Sequence, residues 1–145
     1  MPYRTVREIL DLAREAENSA SRFYTHAGSL AEDDRAKAML NDLAREEKKH
    51  AEMLEMFDPG AAGSTMVPYE PAVLRELASE RKLTAESSLK EVYEMALKWE
   101  EMTASFYDEI AQEIRSNEVS EFFSSLRTYE LGHIDLINRM YSYYR

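Results

Sequence analysis

The stretch "REEKKHAEML", residues 45–54, decides the fold, because it puts polar residues on a helical stripe that should be apolar. From Ala36 to Phe57, positions three and four residues apart are all apolar except Glu47 and His50. Such positions share one face of an α-helix, and in a globular protein that face packs against the core. A carboxylate and an imidazole at its centre need a partner that offsets the cost of burying them.

The composition of the chain narrows the possible partners. With 145 residues and no cysteine, we expect one domain, residues 1–145, without disulfides, iron–sulfur clusters or thiolate zinc sites. Carboxylates and imidazoles remain as the strong metal ligands. A net charge of −10 argues against nucleic acid as a partner. The sequence has neither an apolar run of about 18 residues nor a recognisable secretory signal, so we expect a cytoplasmic protein with no membrane segment.

Start and stop signals predict an all-α fold of four long helices. Thr5 and Ser88 each open a capping box, with a Glu three residues later. The predicted bounds are Thr5 to about Gly28, about Asp34 to 58–60, Ser88 to about Arg115, and Asn117 nearly to the C-terminus. Two helical hairpins result, about 5–57 and 88–144, joined by a crossover over 58–87 that contains a short helix near 72–82. A crossover of this length fits a four-helix bundle in which the second and third helices are parallel.

The two hairpins repeat each other at a constant offset of 83 residues, with no gap. The matched pairs include Thr5 and Ser88, Glu17 and Glu100, Tyr24 and Tyr107, Glu47 and Glu130, and His50 and His133. Each long helix has one Glu in the middle of its mainly apolar stripe. The second and fourth helices add a His three residues later, on the same face.

Four carboxylates that converge in a bundle core cannot all stay charged without counter-ions. Two divalent cations would balance them, and two neutral imidazoles would complete the site. The predicted metal ligands are Glu17, Glu47, His50, Glu100, Glu130 and His133. By symmetry Glu47 and Glu130 can bridge the two metals, while the pairing of each remaining Glu with a His depends on packing. Oxygen-rich ligands with one imidazole per metal suit iron or manganese, and zinc also fits. We expect two iron ions per chain, because a buried, oxygen-rich pair of redox metals is useful mainly for reactions with dioxygen or peroxide.

At these residues the chain resembles the rubrerythrin-like branch of the ferritin-like superfamily. The motifs that carry the resemblance are "EAENSASRFY" (15–24), "EEKKH" (46–50), "EEMTASFY" (100–107) and "YELGH" (129–133). The resemblance covers both hairpins and implies a ferritin-like bundle whose six ligands bind two irons. It also implies that Tyr24 and Tyr107 hydrogen-bond to ligand carboxylates of neighbouring helices. Members of this family reduce hydrogen peroxide with electrons from an external donor.

The chain departs from the rubrerythrin pattern in two respects. Typical rubrerythrins carry a cysteine-ligated rubredoxin iron, which a chain without cysteine cannot form, so electrons would come from a separate donor protein. Typical rubrerythrins also have an additional Glu ligand on the third helix. Here the corresponding positions are Leu97 and Thr103, while Glu101 is one residue off the stripe.

Three functions therefore remain open at the level of sequence. The first is an oxidoreductase that reduces hydrogen peroxide or dioxygen at a di-iron site. The second is a ferroxidase that handles iron, and the third is a helical bundle whose metal is purely structural. Trp99 and the tail "MYSYYR" (140–145) provide more aromatic surface than one helical stripe needs. We expect a homodimer from this excess, with a tail buried against its own bundle as the alternative.

Overall fold

The computed structural model of the chain describes residues 3–68 and 86–143, and most of these residues lie in four long helices. The helices are α1 (Val6–Leu30), α2 (Asp34–Met56), α3 (Leu89–Glu113) and α4 (Asn117–Tyr143). Both predicted capping boxes are present. The amide of Glu8 donates to the hydroxyl of Thr5, and the amide of Glu91 donates to the hydroxyl of Ser88, each over 3.1 Å. Local sequence therefore sets the starting points of α1 and α3.

The helices form a bundle of two hairpins, α1 with α2 and α3 with α4. Two hydrogen bonds fix how the hairpins face each other: Tyr24 donates to Glu100, and Tyr107 donates to Glu17. Since the later residue of each helix meets the earlier residue of the other, α1 and α3 are antiparallel. Because α1 is also antiparallel to α2, helices α2 and α3 are parallel, as predicted. The helix predicted near 72–82 lies outside the described residues.

Two short strands, which the sequence analysis did not predict, tie the start of α1 to the segment that follows α2. Strand β1 (Tyr3–Thr5) pairs antiparallel with β2 (Met66–Pro68), and a 3-10 helix (Gly60–Ser64) precedes β2. The ladder continues into α1, where the amide of Val6 donates to the carbonyl of Thr65 over 3.0 Å. Three residues per strand are too few for an alternation of apolar and polar side chains to be recognised.

The predicted end of the first helix at Gly28 is wrong by two residues. Helix α1 continues to Leu30 and is capped at Ala31, whose backbone is extended. Gly28 is a helical position at which α1 approaches α2, since an added Cβ would lie 2.5 Å from the Oδ1 atom of Asn41. The glycine provides close packing here, a purpose that sequence alone does not separate from helix termination.

The predicted stripes form the core of the bundle. Tyr24, Tyr93 and Tyr107 are among the largest fully buried side chains, and Trp99 is also buried. On the last turns of α4, the hydroxyl of Tyr141 donates to the carboxylate of Glu94 over 3.0 Å. No helix within the described residues is long and apolar enough to span a membrane.

Candidate metal centre

The six residues predicted as metal ligands converge in the middle of the bundle. Helix α1 contributes Glu17, α2 contributes Glu47 and His50, α3 contributes Glu100, and α4 contributes Glu130 and His133. None of the six residues is more than 9% exposed when its backbone and side chain are counted together. Each lies at the middle of a buried stripe, so the packing of four apolar faces brings these polar groups together.

The six side chains form two groups that share two carboxylates. Glu17 and His50 form one group with the shared Glu47 and Glu130, and Glu100 and His133 form the other. In the first group, Nδ1 of His50 lies 3.6 Å from Glu17 Oε2 and 3.2 Å from Glu130 Oε1. In the second, Nδ1 of His133 lies 3.7 Å from Glu100 Oε2 and 2.8 Å from Glu47 Oε1. Packing therefore puts Glu17 beside His50 and Glu100 beside His133, a pairing that the sequence left open.

Most polar atoms of the cluster have no hydrogen-bond partner within the described part of the chain. Eight such atoms belong to the six residues: Glu17 Oε2, both oxygens of Glu47, His50 Nδ1, Glu100 Oε2, both oxygens of Glu130, and His133 Nδ1. The histidine nitrogens are at ion-pair distance from carboxylates but not in hydrogen-bond geometry. An unsatisfied buried polar group costs about 1–3 kcal/mol, so eight of them rival the whole stability of a typical domain, about 5–15 kcal/mol. This donor set fits two divalent cations.

The pKa values of the cluster are shifted because four carboxylates are buried close together. Burial, and then the charge of Glu130, raise the pKa of Glu47 well above its ordinary value. Burial also raises the pKa of Glu17. Burial alone would lower the pKa of His50, but the carboxylates of Glu130 and Glu17 outweigh it and raise this pKa to about 9. Without bound cations, these glutamates and His50 therefore hold protons more tightly than usual, and metal ions would displace those protons.

Two tyrosines hold the outer carboxylates of the cluster across the hairpin interface. The hydroxyl of Tyr24 donates to Glu100 Oε1 over 2.6 Å, and the hydroxyl of Tyr107 donates to Glu17 Oε1 over 2.5 Å. Burial, and then the charge of Glu17, raise the pKa of Tyr107 well above its ordinary value, which keeps its hydroxyl protonated as a donor. Each bond occupies one oxygen of its carboxylate and leaves the other aimed at the cluster.

The position of an additional Glu ligand on the third helix is filled by other residues. The buried hydroxyl of Thr103 donates to the carbonyl of Trp99, within its own helix, over 2.9 Å. Glu101 is exposed and Leu97 is half-buried. Among the described residues, Glu101 belongs to no group of carboxylates and histidines that could hold a metal ion.

Two residues at the rim of the cluster were missed by the sequence analysis. Glu46 lies close enough to His50 and His133 to form a third potential metal group with them. The ring of Tyr129 lies 5.2 Å from the ring of His50, at an interplanar angle of 31°. Both residues directly precede a stripe glutamate, Glu47 or Glu130, and this adjacency was the available signal.

Comparisons with known proteins bear on both the bundle and its centre. A family model described as rubrerythrin matches residues 8–141. A search of curated proteins found no match. Among solved structures, a candidate ferritin-like diiron-carboxylate protein from Thermotoga maritima has a TM-score of 0.78 and 19% identity, covering 98% of this chain and 97% of that chain. At this identity, the structural likeness establishes the ferritin-like fold.

Proposed function

We propose, from the premise that this chain belongs to the rubrerythrin family, that it holds two iron ions in its bundle and reduces hydrogen peroxide there. The observation that carries the proposal is the set of eight buried nitrogen and oxygen atoms, on six side chains, that have no hydrogen-bond partner among the described residues. Their number and chemistry match what two cations require: oxygen-rich ligands with one imidazole for each metal.

The proposed ligand arrangement follows the two overlapping groups. Glu47 and Glu130 belong to both groups and would bridge the metals. Glu17 with His50 would complete one metal, and Glu100 with His133 would complete the other. Four carboxylates and two neutral imidazoles would then balance two divalent charges, so the buried site carries little net charge.

Bound ferrous ions would supply the two electrons that, with two protons, convert one hydrogen peroxide molecule into two water molecules. The protein itself holds the ligand side chains in position and excludes water from them. Tyr24 and Tyr107 orient Glu100 and Glu17 through the short hydrogen bonds described above. The nearly complete burial of the six side chains keeps bulk water from competing for the metals.

The electrons for repeated turnover would come from a separate donor protein, because a chain without cysteine cannot carry a rubredoxin iron. A homodimer, and a cytoplasmic location, remain predictions from the sequence. Manganese and zinc also fit the ligand chemistry, so the choice of iron rests on the proposed redox function.

An anaerobic titration with ferrous iron, followed by stopped-flow mixing with hydrogen peroxide or dioxygen, tests the proposal. We expect two irons per chain and much faster oxidation by peroxide than by dioxygen. Glu52→Ala, which removes an exposed carboxylate elsewhere on α2, should behave like the wild type and serves as the matched control.

Other outcomes would favour the other functions. Faster reaction with dioxygen, and oxidation of more than two ferrous ions per chain, would support a ferroxidase and contradict peroxide reduction. A metal that binds without reacting with either oxidant, and whose removal unfolds the bundle, would support a structural role.

A further inference from the structure

The pseudo-symmetry of the two hairpins breaks at one position on the rim of the cluster. Glu46 and Tyr129 correspond to each other at the offset of 83 residues, and each precedes a shared glutamate. Tyr129 is exposed to solvent, and Glu46 is partly exposed, with 47% of its side-chain surface open to solvent. One hairpin thus has a carboxylate where the other has an aromatic ring.

This difference makes the two histidines unequally accessible. The ring of Tyr129 packs against the ring of His50, whose side chain is only 3% exposed. The side chain of His133 is 11% exposed, the largest fraction among the six side chains of the cluster. Solvent therefore comes nearest to the cluster at His133 of α4, beside the Glu46 carboxylate of α2.

Glu46 provides a metal-binding group on this side. One carboxylate oxygen of Glu46 and one ring nitrogen from each of His50 and His133 all lie within 4.8 Å of one another. The Nδ1 atoms of both histidines are buried and have no hydrogen-bond partner among the described residues. Two imidazoles and a carboxylate suit divalent first-row metals, so this group can bind a metal between solvent and the centre.

The present partner of Glu46 is easily displaced. The ammonium group of Lys49 lies 3.5 Å from the Glu46 carboxylate, and its side chain is 66% exposed. An exposed ion pair of this kind contributes little to stability. A divalent cation interacts more strongly with the carboxylate than a single ammonium charge does, so it can replace Lys49.

We propose that the surface around Glu46, between α2 and α4, is the port through which divalent metal ions reach the buried centre. Glu46 binds the incoming ion first, together with His133, and the ion then moves inward to the shared carboxylates. The port rests on the proposed two-metal function, but it assigns Glu46 to the path of the metal and not to its final coordination.

Cobalt(II) uptake by the chelator-treated full-length protein tests the port, with visible absorption as the readout in a stopped-flow instrument. We expect Glu46→Gln to slow uptake about tenfold, since local charge sets cation association rates. The wild type and the Glu46→Gln variant should both end at two cobalt ions per chain. Glu52→Gln removes the same charge from an exposed position of α2 and should leave the rate near that of the wild type.

The rate at which cobalt is released to excess chelator distinguishes a residue on the entry path from a permanent metal ligand. A port residue lowers the barrier in both directions, so Glu46→Gln should slow release by the same factor as uptake. Faster release would instead make Glu46 a permanent ligand and overturn the proposal. In the Glu46→Gln background, Tyr129→Glu should restore much of the uptake rate, because it creates the equivalent carboxylate beside His50.

The outcomes also separate this proposal from the proposed function. If the wild type bound no cobalt, the two-metal function would fail. If the wild type bound two ions and Glu46→Gln loaded as fast as Glu52→Gln, only the port would be wrong. Failure of Tyr129→Glu to raise the rate would contradict control of access by this rim position.

Discussion

The first hairpin, α1 with α2, and the second, α3 with α4, present the same side chains to the centre but different ones around it. Inside, glutamates, histidines and tyrosines recur at the offset of 83 residues. At the rim, Glu46 in one hairpin corresponds to Tyr129 in the other. Gly28 and Asn41, which approach each other inside the first hairpin, correspond in sequence to Ala111 and Ser124. A shared centre constrains both halves equally, whereas surface and packing positions are free to differ.

The largest effect is expected when one of the two shared carboxylates is removed, because the two hairpins contribute equivalent glutamates to the centre. We expect Glu47→Ala and Glu130→Ala each to abolish binding of two metals per chain, since each glutamate belongs to both groups of ligands. Metal analysis after gel filtration gives the stoichiometry, and circular dichroism checks that the variants remain helical. Two tightly bound metals in either variant would show that this glutamate is not a bridging ligand.

A smaller effect is expected from the two tyrosines, which occupy equivalent positions in the two hairpins. Tyr24→Phe and Tyr107→Phe each delete one hydroxyl that donates to a carboxylate of the opposite hairpin. Leaving a buried acceptor unpaired costs about 1–3 kcal/mol, and loss of such an outer partner weakens metal affinity about 10–100-fold. Both variants should therefore show similar losses in denaturant unfolding and in competition with a chelator. A loss in only one of them would mean that the halves are not equivalent in this respect.

The helix caps provide a smaller comparison, remote from the centre. Thr5→Ala and Ser88→Ala each remove a hydroxyl that accepts a hydrogen bond from the backbone amide of the residue three positions later. Each should lower the free energy of unfolding by about 1 kcal/mol. Urea unfolding measures both, with no change expected in metal stoichiometry. A clearly larger effect for Thr5 would indicate that its side chain also supports the pairing of β1 with β2.

The smallest expected effects concern two helical glycines. Gly132→Ala should raise stability by about 0.5–1 kcal/mol, because alanine is the better helix former and nothing lies within 4 Å of the added Cβ. Gly28→Ala should gain less or lose stability, since its Cβ would meet Asn41. Adding Asn41→Ser gives the residue types that the second hairpin has at Ala111 and Ser124, and its shorter side chain should recover the difference. Equal thermal midpoints for the two single variants would contradict the close contact at Gly28.

Much of the architecture could be predicted because it depends on local interactions. The capping boxes at Thr5 and Ser88 involve residues three positions apart, so they can be recognised without knowing the rest of the fold. The helical period likewise puts Glu17, Glu47 and their counterparts on buried faces. The repeat adds symmetry, which limits how four such faces can be combined.

The sequence by itself determined which residues face the interior, and it predicted that their charges require cations. Only the tertiary structure decided which groups meet: Glu17 with His50, Tyr24 with Glu100, Gly28 with Asn41, and β1 with β2. It also decided that the ring of Tyr129 packs against His50, and that the His133 side chain is more exposed than the His50 side chain. The physical reason is that periodicity fixes the face of a helix on which a side chain lies, whereas its neighbour depends on how separate helices pack.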